Sequence, residues 1–135
     1  MRSFSAARRA LLMAGLASAA AVVHAQGAIK IGEINSYKAQ PAFLGPYKKG
    51  MELAVAEVNS AGGIQGRKLE LVVRDDNGNP GDAVRAADEL LAREKVDVLM
   101  GSFLSHVGLA LTDFAKQKKV FFLAAEPLTD KIVWE

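Results

Sequence analysis

Four short apolar runs alternate with three stretches of helical periodicity between residues 29 and 124, and this alternation restricts the chain to an α/β fold. The runs at 29–34, 69–74, 96–100 and 120–124 are rich in Val, Ile and Leu and too short to be helices. Residues 46–61 repeat Tyr47, Met51, Ala54, Val55 and Val58 at spacings of three and four, one face of a helix. Residues 83–93 do the same with Val84, Ala87, Leu90 and Leu91. A third helix starts at Ser105 or His106 and runs to Gln117, with Val107, Ala110, Leu111 and Phe114 inward. The punctuation agrees. Asn59-Ser60-Ala61-Gly62-Gly63 stops the first helix, because paired glycines supply a left-handed cap. Asn79 before Pro80 suits an N-cap followed by a first helical residue. Glu126-Pro127 ends the last strand.

The order β-α-β-α-β-α-β predicts a doubly wound parallel sheet with right-handed crossovers and helices on both faces. Strands 96–100 and 120–124 are almost wholly apolar, the pattern of strands buried on both faces. The tail Ile132-Val133-Trp134-Glu135 reads as the start of another element, and four strands leave apolar edges uncovered. The expectation is therefore an incomplete lobe. A complete small domain is the alternative, and it would have to hold together on a small core.

In open parallel sheets ligands bind outside the carboxyl ends of the strands, where strand order reverses. Loops 35–44, 75–79, 101–106 and 125–129 occupy those ends. A strand order of 2-1-3-4 would set the first and third of these loops beside the crevice. Gly101-Ser102-Phe103-Leu104-Ser105 leads from a strand end into a helix start. Free N–H groups and the helix dipole there suit an anion such as a carboxylate, and the Ser102 and Ser105 hydroxyls add donors. The same serines also suit simple helix capping, which is compatible with ligand contact. Asn35, Ser36 and Tyr37 follow the first strand; Phe43 and Phe103 offer an apolar wall or core packing. Glu126 follows the fourth strand and would pair with a ligand amine or stay in water. Asp75-Asp76-Asn77-Gly78-Asn79 lacks the residue order of a calcium loop and reads as a turn.

No catalytic constellation emerges, so the chain is not expected to be an enzyme. After residue 25 the one histidine is His106, and the chain has no cysteine. A thiol nucleophile, an iron–sulfur cluster and a cysteine-based zinc site are excluded. No nucleophile elbow, phosphate loop or dinucleotide fingerprint is present, and neither a metal nor another cofactor is expected.

Residues 1–25 read as a cleaved signal peptide. Arg8-Arg9 closes a positive segment, Ala10 to Val23 is apolar, and Val23-His24-Ala25 is an A-x-A-like site. The apolar run of about 14 residues falls short of the roughly 20 that a spanning helix needs, which disfavours a membrane anchor. Twin-arginine export is a weaker option. Arg2, Arg8 and Arg9 also account for the basic balance: the rest of the chain has 14 basic against 15 acidic residues. Nucleic acid is therefore not an expected partner. The expected product is residues 26–135, a periplasmic chain not inserted in the membrane.

The stretch Ile29-Lys30-Ile31-Gly32, then Gly50-Met51-Glu52-Leu53-Ala54-Val55-Ala56-Glu57-Val58-Asn59-Ser60-Ala61-Gly62-Gly63-Ile64-Gln65-Gly66-Arg67, resembles the N-terminal lobe of the branched-chain amino acid (Leu/Ile/Val-type) binding proteins of ABC transporters. Asp75-Asp76 with Pro80, Val96-Asp97-Val98-Leu99-Met100-Gly101, Ser105 and Glu126-Pro127-Leu128-Thr129 agree, so the resemblance covers 28–135. It implies a type I periplasmic-binding-protein lobe, a second lobe joined by a hinge, a small solute held between the lobes, and delivery to the permease subunits of an ABC importer. It implies a ligand-contacting serine at Ser105 and further contacts at Ala124, Ala125 and Glu126, with Tyr37 and Phe43 covering the ligand side chain. Two departures stand out. Ala124-Ala125-Glu126 replaces a hydroxyl-rich segment, and Asn35-Ser36-Tyr37-Lys38 replaces a small first loop. An amino acid, an amide, urea or an aromatic acid all remain open as ligands. A sensor ectodomain of the same fold and an exported enzyme with a Rossmann-like domain are the rival functions. The second would need a cofactor loop that Gly32-Glu33-Ile34-Asn35 does not provide.

Overall fold

The computed structural model describes residues 27–134. The expected signal peptide lies outside them. Four parallel strands, β1 (Ile29–Asn35), β2 (Leu69–Asp75), β3 (Val98–Gly101) and β4 (Phe122–Ala124), form one sheet in the order β2-β1-β3-β4. The helices are α1 (Pro41–Ser60), α2 (Pro80–Glu89), α3 (Ser105–Lys118) and the short α4 (Lys131–Trp134). This is the doubly wound arrangement expected from the sequence, with the strand order on which the place of the crevice was conditional.

The chain leaves β1 toward β2 on one side and returns past β1 to β3 and β4 on the other. Right-handed crossovers therefore put α1 on one face and α2 and α3 on the opposite one. The core lies on the α2–α3 face. Ile34, Leu99, Ala83, Ala86, Ala87, Leu90, Val96, Val107, Leu111 and Phe114 are buried together there, with Val72 and Phe122 packed against them. From α1 only Leu44 is fully enclosed, and it stands apart from this cluster.

Helix α1 begins five residues before the expected start and runs through Pro46. Pro41 at its first turn needs no N–H partner, and Leu44, fully buried, anchors the extra turn. Tyr47, Met51, Val55 and Val58 are half-buried as their spacing implies, whereas Ala54 is exposed. Gly62 and Gly63 take φ of 105° and 82°, and the Gly63 N–H donates to Val58 O at 2.9 Å, closing the helix. Asn79 caps α2 through Oδ1, which accepts from Gly81 N at 2.8 Å and Asp82 N at 3.1 Å. Asn79→Ala is expected to cost about 1 kcal/mol in urea unfolding, and Asn79→Asp much less. The helical segment to Arg93 is not one α-helix; after Glu89 it widens into a π-turn, Leu90–Glu94.

The fourth strand is not buried on both faces. Phe121 and Leu123 are 65% and 50% exposed, while Phe122 between them faces the core. Among the described residues no element covers the α1 side of β4. An apolar strand at the edge of a sheet is therefore half wet.

Candidate functional site

The carboxyl ends of the strands gather the candidate residues, and the geometry there begins with Gly101. Its φ is 121°, and a Cβ on it would meet Ile34 O at 2.2 Å and Glu33 Oε1 at 3.0 Å. The turn continues through Ser102, also at positive φ (70°). Ser102 N donates to Ile34 O at 2.8 Å, while Ser102 O accepts from Glu126 N at 3.2 Å. Ala125 N donates to Gly101 O at 2.9 Å. One tight turn thus joins the ends of β1, β3 and β4. Ser102 itself is fully buried, its hydroxyl 3.3 Å from Leu104 O.

This turn delivers the start of α3. Neither serine caps the helix: Leu104 stands at the N-cap and makes no side-chain cap bond, because Ser102 is spent inside the turn and Ser105 is already the first helical residue. Val107 N and Gly108 N donate to Leu104 O, at 3.0 and 2.9 Å. The N–H groups of Ser105 and His106 precede the first intrahelical bond and have no such acceptor. Partial positive charge collects there. His106 Nε2 lies 3.3 Å from Gly78 O, tying α3 to the β2 loop.

Phe43 and Phe103 stack with ring centroids 4.9 Å apart at a 34° tilt. Phe43 is half-exposed, so the pair forms an aromatic wall and not core. Ala125 is exposed and Glu126 half-buried on the loop after β4. Tyr37 donates its hydroxyl to Glu33 Oε2 at 2.6 Å. It also lines a cavity of about 390 Å³ with Pro41, Gly45, Lys48, Val73 and Asp75. The Asp75–Asn79 loop is a turn. Asp75 Oδ1 accepts from Asn77 N at 2.8 Å, and Asp76 Oδ1 accepts from Gly78 N at 2.8 Å and from the buried Ser36 hydroxyl at 2.6 Å.

Three polar residues of this edge were not singled out from the sequence: Glu33, Tyr47 and Asp76. Glu33 is fully buried, and burial lifts its carboxyl from 4.5 to about 7. Burial also raises Asp76 and Glu126, and it pushes the Tyr47 phenol up, with the charges of Glu33 and Glu126 adding to the effect. Among the described residues, the buried side-chain atoms without a hydrogen-bond partner are Glu33 Oε1, Asn35 Nδ2, Tyr47 OH, Asp76 Oδ2 and Glu126 Oε2. All belong to this edge or to the α1 turn beside it. Among the described residues, the buried side-chain polar atoms that want a partner thus gather at the sheet's carboxyl end. A charged residue inside the apolar run Ile29–Asn35 was the available signal for Glu33.

A family model described as periplasmic binding protein matches residues 28–133. The chain belongs to the periplasmic binding protein family. Among curated members of this family, Leu/Ile/Val-binding protein homolog 7 of Brucella abortus (strain 2308) is 33% identical over 124 residues, covering 91% of this chain and 30% of the relative. Two solved members share the fold. The branched-chain amino acid transporter substrate binding protein LivJ of Streptococcus pneumoniae, in complex with isoleucine, aligns with a TM-score of 0.67 at 26% identity over 79% of this chain and 31% of its own. A solute binding protein of an ABC transporter from Rhodopseudomonas palustris BisB5, in complex with 3,4-dihydroxy benzoic acid, aligns with a TM-score of 0.71 at 25% identity over 79% and 29%. The chain thus spans about a third of the length of the periplasmic binding proteins it matches. No helix among the described residues is long and apolar enough to cross a membrane.

Proposed function

We propose that this chain forms one wall of the ligand cleft of a periplasmic solute-binding protein, which hands a small amino acid or a related amide, urea or aromatic acid to the permease of an ABC importer. The supporting observation is the bare N-terminus of α3 at the point where strand order reverses. The Ser105 hydroxyl and the Ser105 and His106 N–H groups bind a carboxylate there. The Phe43–Phe103 pair covers the apolar part of the solute. Tyr37 from the β1 loop and Ala125 and Glu126 from the β4 loop complete the lining, and Ser102 holds the turn that sets Ser105 in place. Residues 26–135 act as part of an N-terminal lobe after the signal 1–25 is removed in export, and a second lobe closes over the solute. Relatives that carry isoleucine and 3,4-dihydroxy benzoic acid support the range of solutes. Nothing in the role requires a chemical step, so the protein binds and releases without catalysis.

Calorimetry on the protein that carries this sequence tests the assignment, with leucine, arginine, cadaverine, urea and 4-hydroxybenzoate as probes. One of them is expected to bind. Ser105→Ala should weaken a carboxylate-bearing probe roughly tenfold, the value of about 1.5 kcal/mol for a hydrogen bond to a charged group. Unchanged affinity in that variant, or no binding of any probe, overturns the assignment.

A further inference from the structure

The β1 loop, the β2 loop and the start of α3 meet around one buried carboxylate. Asp76 is fully enclosed, and its Oδ1 accepts two bonds, from the Ser36 hydroxyl at 2.6 Å and from Gly78 N at 2.8 Å. Ser36 is fully enclosed as well, and its N–H donates to Asn35 Oδ1 at 3.0 Å. Ser36 O accepts from Gln40 N at 2.9 Å. The place of Ser36 therefore sets both Tyr37 beside it and the entry into α1, which carries Phe43. On the other side, Gly78 O faces His106 Nε2 at 3.3 Å. A Cβ on Gly78 would stand 3.4 Å from Leu104 Cδ1 and 3.5 Å from Ala39 Cβ, so the β2 loop fills the gap between the N-cap residue of α3 and the β1 loop.

Closing the β2 loop does not call for this side chain. Asp75 Oδ1 accepts from Asn77 N at 2.8 Å, and Asn79 N donates to Asp76 O at 2.9 Å, two bonds that already close the turn. Asp76 Oδ2 has no partner, and a buried carboxylate with a bare oxygen costs stability. What the side chain adds is the bond to Ser36, 40 residues away, at the length of a charge-assisted hydrogen bond. We infer that Asp76 is a positioning residue for the solute: it fixes the spacing between the β1 loop, with Tyr37 and Phe43, and the first turn of α3, with Ser105 and His106. Being enclosed, Asp76 does not meet the solute itself. Its effect comes through the two walls, because a site whose contacts sit about 1 Å too loose loses its function. This inference rests on the cleft proposed above and names what holds it in shape.

The test is calorimetry on the protein that carries this sequence, with whichever of leucine, arginine, cadaverine, urea and 4-hydroxybenzoate binds the wild type most tightly. Ser36→Ala and Asp76→Ala should each weaken that probe roughly tenfold or more, the scale of a hydrogen bond to a charged group. Both changes together should do no more than Asp76→Ala alone, because they break the same tie. Asp76→Asn keeps the accepting oxygen and should bind within about threefold of wild type. Asn79→Ala is the control for stability alone. It uncaps α2 on the same loop, lowers the melting temperature and should leave affinity within about twofold. Thermal melting shows that each variant is folded at the temperature of titration, and Ser36→Ala carries the test if Asp76→Ala does not fold. Unchanged affinity in Ser36→Ala overturns the inference, as does a loss in Asp76→Asn equal to that in Asp76→Ala. An equal loss in Asn79→Ala also overturns it, since affinity would then follow stability and not the tie. All three outcomes leave the cleft in place, whereas a wild type that binds none of the probes removes the cleft and this inference with it.

Discussion

Gly101→Ala is expected to destabilise the protein by about 3 kcal/mol or more in urea unfolding, the sum of backbone strain and a contact that cannot relax. Gly101 sits at φ 121°, where an L side chain is strained whatever the space. Its added Cβ would lie 2.2 Å from Ile34 O, a backbone atom of the central strand, so no side-chain rotation relieves the overlap. The damage spreads because Ser102 N and Ala125 N both bond within this turn. Gly50 is the control. It lies inside α1 with nothing within 4 Å of a Cβ, and Gly50→Ala should stabilise by about 0.8 kcal/mol. Equal effects at the two glycines would show that the turn is not under the constraint described.

Glu33→Gln is expected to make the protein more stable near neutral pH and to flatten its pH dependence. The Glu33 carboxyl titrates at about 7 in the folded protein against 4.5 in the unfolded chain. Between those values the folded state holds the extra proton, so stability falls as pH rises. The penalty is absent below about pH 4.5 and fully developed above about pH 7, where it reaches about 3 kcal/mol. Unfolding curves at pH 4.5, 6 and 8 should show wild type losing stability relative to the variant across this series. Parallel behaviour of the two proteins would mean that Glu33 is not buried as described.

Much of this architecture was legible in the sequence, because periodicity and turn residues are local. The helix start at Asn79-Pro80 and the stop at Gly62-Gly63 follow from short-range rules, whereas the order β2-β1-β3-β4 was only supposed, since local patterns do not fix which strands pair. What the sequence hid depends on packing. Pro46 reads as a helix start, and only the burial of Leu44 shows that the helix begins at Pro41. Phe121 and Leu123 read as core, but burial on a sheet's second face needs a covering element, which apolarity alone does not provide. At the site, the serines and phenylalanines could be named from their position after strands. Whether a serine faces solvent or spends its hydroxyl on Leu104 O could not, since that depends on a positive φ at Ser102. Glu33 was overlooked because an acid in a strand is ordinarily on a wet face, whereas here it is fully buried, with Tyr37 bonded to it and the Gly101 turn packed close.

The central claim is that the carboxyl edge of this sheet is a binding surface, and amide hydrogen exchange tests it most directly. The protein that carries this sequence would be labelled with and without a saturating probe, the tightest binder among leucine, arginine, cadaverine and 4-hydroxybenzoate. Slower exchange at Ser105 and His106 and along 124–127, with the α2–α3 core unchanged, is the result this account predicts. Slowing elsewhere with residues 101–106 unaffected would contradict it, and would move the ligand site away from the strand ends.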